Sequence, residues 1–114
     1  MTNHTLGMMS CYPKGIDQTE LNIIDAMIRA ALVEGISLGV FDGEEWAVRN
    51  STDYQEITGE IAATDATTLR LRDSGGAKIG DIILIHGNGE DVIHDHTDNP
   101  ITGRIVNLGQ AAAN

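Results

Sequence analysis

Three histidines near the C-terminal end of the chain, His86, His94 and His96, are the side chains whose type and spacing most suggest chemistry. In an extended strand residues two apart point the same way. His94 and His96 therefore make a His-x-His pair of the kind that chelates zinc or another metal favouring imidazole. Whether His86 joins them depends on the intervening loop. With five residues in it (87–91), His86 faces Val92, Leu84 faces His94, and all three imidazoles share one face. With four, His86 faces Asp91 and is separated from the pair. The sequence leaves both registers open. The competing reading is a polar strand end that runs into a helix capped by Asp98. No cofactor is expected.

Carboxylates are the second candidate. The chain has 17 acidic and 7 basic residues in 114, a net charge of −10. Asp42, Glu44 and Glu45 cluster at one turn and Glu90 with Asp91 at another. Two-carboxylate hydrolysis needs one acid with a raised pKa in an apolar cleft. Turn acids are solvated and stay ionised, so these point to contact rather than catalysis. Gly87-x-Gly89 lacks the Lys-Ser/Thr pair of a phosphate loop and the third glycine of the dinucleotide fingerprint. Ser10, Cys11 and Ser74 have no base that the sequence places beside them, so a nucleophilic enzyme is unsupported. Arg70, Arg72 and Lys78 form the one basic cluster. They read either as the polar face of a hairpin or as a grip on a phosphate, as in a protein that sequesters a nucleotide signal.

Local patterns set the elements that must hold these groups. Asp17 with Glu20 makes a capping box, Leu21, Ile24, Ile28 and Leu32 recur at helical spacing, and Gly35 stops the helix. Ile36, Leu38 and Val40 then alternate, Asp42-Gly43 turns, and Trp46 and Val48 return. A three-residue loop or a bulge, pairing Val40 with Trp46 and Leu38 with Val48, keeps the large aliphatics on one face. Thr52 with Gln55 caps a short helix through residue 63. Leu69 and Leu71 alternate with Arg70 and Arg72 before Ser74-Gly75-Gly76. The run Ile82–Ile85 predicts a strand covered on both faces. Val92–His96 is the last strand, and Asp98 caps a helix with Pro100 in its first turn. These patterns predict an α+β fold in the order α-β-β-α-β-β-β-α, an antiparallel sheet of about five strands with helices packed on it.

The length suits one domain: a flexible leader arm at 1–16, the α+β body at 17–110 and a tail at 111–114. A single cysteine rules out an intrachain disulfide. No apolar run reaches the 18 or so residues of a membrane span and no signal peptide is evident, so a cytoplasmic location is expected. Excess negative charge repels nucleic acid and anionic membranes and attracts basic protein surfaces.

The segments Asp42-Gly43-Glu44-Glu45-Trp46-Ala47-Val48, Ser51-Thr52-Asp53, Leu69-Arg70-Leu71-Arg72-Asp73, His86-Gly87-Asn88 and Val92–Asn99 resemble small proteins carried by temperate phages and prophages of proteobacteria. The resemblance covers about residues 29 to 100. It implies an accessory protein of the host cytoplasm that binds and inhibits a host defence or nucleic-acid-processing complex, as anti-CRISPR proteins do. A DNA-mimicking acidic surface on Asp42, Glu44, Glu45, Glu90 and Asp91 would occupy the partner's basic channel. The alternatives are the Arg70/Arg72/Lys78 ligand binder, the histidine metal site, and a homodimer formed through the Ile/Leu helix face.

Overall fold

The computed structural model describes residues 18–62 and 65–113. The expected leader arm, Cys11 and the Asp17 cap lie outside them. Helix α1, Gln18–Val33, buries Ile23, Ile24, Met27, Ile28 and Ala31. Strands β1, Ser37–Phe41, and β2, Trp46–Ser51, follow. Next come α2, Tyr54–Ile61, and the hairpin of β3, Ala66–Arg72, with β4, Lys78–Ile85. A 3-10 turn at Gly89–Asp91, which the expected order lacked, precedes β5, Ile93–His96. Helix α3, Pro100–Ala111, completes the body. The expected α+β class with a five-stranded antiparallel sheet holds, in the spatial order β2-β1-β3-β4-β5.

The three helices of the described residues lie on one face of the sheet. Leu38, Val40, Val48, Leu69, Leu71, Ile82 and Leu84 point into a single core with the buried side chains of the helices. The alternate residues of β3 and β4, namely Thr68, Arg70, Arg72, Asp81, Ile83 and Ile85, are only half-buried on the other face. The reading of Ile82–Ile85 as doubly covered is corrected for the described residues: Ile82 and Leu84 are buried, while Ile83 and Ile85 are half-buried on a face over which no described helix packs. Four aliphatics in a row do not distinguish a two-sided strand from one with an apolar outer face.

Several boundaries shift by a residue, each because a neighbouring group makes the better cap. Helix α2 is capped by Asp53, whose carboxylate accepts the amides of Gln55 and Glu56, and not by Thr52. It ends at Ile61, not 63. Asn99 caps α3 by accepting the Thr102 amide at 2.8 Å, in place of Asp98. The expected tail is partly structure, since α3 runs to Ala111 and Ala113 is buried against the core. In the first hairpin the bulge is present, but the pairs differ from those expected. Phe41 opposes Trp46, Val40 opposes Val48, and Leu38 opposes Ser51. Ala47 is the extra residue between the Phe41 and Val40 pairs and turns Trp46 to the other face while leaving Val48 in the core. A second shift between Val40 and Leu38 adds a residue at Arg49–Asn50.

No helix among the described residues is long and apolar enough to cross a membrane.

Candidate functional site

Strand pairing fixes which connections share an end of the sheet. Phe41, Thr68, Ile83 and Asp95 form one row across β1, β3, β4 and β5. The β1–β2 turn, the start of β3 and the β4–β5 connection all lie just beyond that row. Asp42, Glu44, Glu45, Asp65, Glu90 and Asp91 therefore gather at one end, and all six are exposed except Asp42, which is half-exposed. No Lys or Arg lies in these connections. Strands β1 and β4 are two spacings apart, about 10 Å, so the two acidic turns are near enough to act on one partner surface.

Each turn is organised by one carboxylate. In the β1–β2 turn Asp42 Oδ1 accepts the amides of Glu44 and Glu45, both at 2.9 Å. Those bonds hold the Asp42 carboxyl below the usual carboxylate range. Asp42 thus shapes the turn, while Glu44 and Glu45 point outward. The β4–β5 turn is built on a residue from the far side of the chain. Glu20, in the first turn of α1, is fully buried. Its Oε1 accepts the amides of Gly87, Asn88 and Gly89 at 2.9, 3.2 and 3.3 Å. Gly87 and Gly89 have φ of 93° and 57°, which turns successive amides toward one point and forms an anion nest.

His86 joins the same cluster. Its Nδ1 lies 3.4 Å from Glu20 Oε2, and its Nε2 lies 3.1 Å from the Thr67 hydroxyl. Burial pushes the imidazole pKa down, and the nearby carboxylates of Glu20 and Asp65 only partly offset this. Carboxylate, imidazole and hydroxyl stand in the order of a hydrolytic triad, but Thr67 is 2% exposed and Glu20 0%. A hydroxyl sealed from substrate is not a nucleophile. The cluster is a clasp between α1 and the β4–β5 turn.

The histidine site is corrected by the same geometry. Leu84 opposes Ile93, and the Ile85 amide donates to Val92 O. Beside the turn this is the register of the four-residue loop, but a shift between Leu84 and Ile83 leaves His94 as an extra residue and pairs Asp95 with Ile83 and His96 with Ile82. His86 itself turns inward to Glu20 and Thr67 and does not join His94 and His96. His96 Nδ1 lies 3.0 Å from Thr97 O. Among the described residues no group of three His, Cys, Asp or Glu side chains is arranged to hold a metal.

The basic cluster is partly as expected. Arg70 stands on the uncovered face and makes a two-pronged ion pair with Asp81, at 2.9 and 3.1 Å. Lys78 Nζ reaches the same carboxylate at 3.3 Å. Arg70, aided by Lys78, holds the Asp81 carboxyl below its ordinary value against the opposing effect of burial. Arg70 and Lys78 therefore share one carboxylate, which holds the Arg70 guanidinium in place and leaves the trio with one net positive charge. Arg72 donates only to Gly76 O, at 3.1 Å. Sequence reasoning missed two neighbours. Trp46 lies under the Arg70 guanidinium, 4.8 Å from its ring centroid, and Arg49 lines the same depression as Arg70 and Arg72. The bulge at Ala47 broke the alternation that would have grouped them. Glu20 did carry a signal, since it sits three and four residues before Ile23 and Ile24 on the apolar stripe of α1.

No family model, curated protein or solved structure matches this chain.

Proposed function

We propose that this protein is a non-enzymatic binding module whose acidic end docks on a basic, nucleic-acid-binding surface of a host defence or nucleic-acid-processing complex and blocks it. One observation carries the reading: two acidic turns, separated by some forty residues of chain, lie beyond the same end of the sheet, and among the described residues no Lys or Arg lies in the connections there. Like charges held together raise the local field well above that of an evenly spread surface. Glu44, Glu45, Glu90 and Asp91 supply the contact. Asp42 and Glu20 hold the two turns in shape and belong to the scaffold. Turn backbones held in shape by Asp42 and Glu20 have less freedom to lose on docking, which favours affinity.

The test is a pull-down from bacterial host extract with wild-type protein and a Glu44→Lys, Glu45→Lys, Glu90→Lys variant, both with unchanged melting temperature. The wild type should retain a basic nucleic-acid-handling complex near 0.1 M salt and release it as salt rises. The variant should retain none. Capture by the variant, or capture insensitive to salt, would overturn the proposal.

A further inference from the structure

The uncovered face of the sheet segregates charge of the opposite sign. Arg49, Arg70, Arg72 and Lys78, four of the seven basic residues, stand on β2, β3 and β4 away from the acidic end. A depression of about 190 Å³ is lined by Trp46, Arg49, Asn50, Arg70 and Arg72. One of its walls is fixed. The Trp46 ring lies over Gly39, where an added Cβ would meet the ring at 3.2 Å and the Arg49 carbonyl at 2.8 Å. Phe41 packs against that ring at 5.2 Å with a 57° tilt. Arg70 covers it and is itself held by Asp81. The other two cations are available. Among the described residues neither Arg49 nor Arg72 is paired with a carboxylate, and Gly76 O tethers Arg72 through one donor of five.

The geometry points to this depression as a binding site for a small phosphorylated aromatic ligand of the nucleoside-monophosphate class. Two guanidinium forks suit the oxygens of a phosphate dianion, which they bind bidentately. The Arg70 guanidinium, backed by the Trp46 ring and held flat by Asp81, offers its outer face as a surface on which a planar base stacks. A small ligand is favoured over a nucleic-acid strand on charge. A polymer crossing the sheet would meet Asp95 and the acidic turns of a chain with net charge −10. A monophosphate need only enter the basic half. This site shares no residue with the acidic end and stands or falls separately from it.

Trp46 is the only tryptophan, so its emission reports on this depression alone. Full-length protein is titrated with AMP, adenosine, inorganic phosphate and a short single-stranded oligonucleotide, with excitation at the red edge of tryptophan absorption. AMP should change the emission saturably below about 1 mM, the weak end of specific binding. Phosphate should compete more weakly, and adenosine alone should not saturate. Arg49→Gln and Arg72→Gln should each weaken AMP about tenfold, the scale of one charge-assisted contact, while Arg104→Gln on α3 leaves it unchanged. Arg49 is exposed, so its variant tests the site even if Arg72→Gln impairs folding. No saturable change with AMP, equal response to adenosine, tighter binding of the oligonucleotide than of AMP, or indifference to Arg49→Gln would each overturn the proposal.

Discussion

The two acidic turns at one end of the sheet solve the same problem in opposite ways. Both present amides that a single carboxylate gathers. In the β1–β2 turn that carboxylate is Asp42, two and three residues from the amides it accepts, in water. In the β4–β5 turn it is Glu20, 67 to 69 residues from its amides and fully buried. A local, solvent-facing cap shapes the loop it belongs to. A distant, buried cap ties two elements together, and its removal strands several polar groups at once. Similar hydrogen bonds therefore carry very different weight, because water replaces the partner in one place and cannot in the other.

Glu20→Ala should break that comparison most sharply. It leaves three loop amides and the His86 imidazole without their carboxylate, and a loss of about 3–5 kcal/mol is expected in denaturant unfolding. Glu20→Gln should recover part of it. Protection of the Gly87–Gly89 amides from hydrogen exchange should fall before that of β3. A Glu20→Ala protein with wild-type stability would mean that the clasp is incidental.

A smaller effect concerns acidity. Burial favours neutral His86 in the folded state, whereas an unfolded histidine takes up its proton near pH 6.5. The unfolded chain thus binds more protons once the pH drops into that region. Stability from this residue is present above about pH 6.5 and is lost progressively as the pH falls toward the lower folded-state pKa. Thermal melts from pH 7.5 to 5 should show a fall in melting temperature that His86→Asn flattens. An unchanged slope in the variant would place the titrating group elsewhere.

The smallest effect belongs to Asp42→Asn. Asparagine keeps an oxygen for the Glu44 and Glu45 amides, so the melting temperature should barely move at neutral pH. The contribution of the lowered Asp42 pKa exists only above the ordinary carboxylate value and disappears as the pH falls below it. Wild type and variant should therefore converge at the acid end of the melts, once the pH has fallen through the lowered folded-state pKa. A loss comparable to that of Glu20→Ala would erase the contrast between the turns.

That contrast also explains what the sequence could reveal. Asp42-Gly43 and Ser74-Gly75-Gly76 are turn signals complete within a few residues, and both mark turns in the fold. The helical spacing of Ile24 and Ile28 and the alternation of Leu69 and Leu71 were equally legible, because burial periodicity is local. Caps were found to within one residue, since Thr52 and Asp53, or Asp98 and Asn99, are chemically near-equivalent and tertiary packing chooses between them. The pairing of Glu20 with the Gly87–Gly89 amides was not legible. Neither was the company of Arg49 with Arg72, because each depends on how distant strands are ordered. The His86 question was not legible from loop length, because the register shifts at His94 and because the group that holds His86, Glu20, lies on a distant helix.

The placement of the first and last helices has a practical consequence. Helix α1 starts where Glu20 meets the Gly87–Gly89 loop, and α3 finishes where the Gln110 side chain donates to Glu90 O. The polypeptide thus enters and leaves its folded body beside the carboxylate rim. A bulky group joined directly at Gln18 or at Ala113 would shade the rim, while an affinity tag inserted at Ser74–Gly75, at the far pole, would leave it open. The choice of attachment point therefore decides whether a capture experiment presents this surface or hides it.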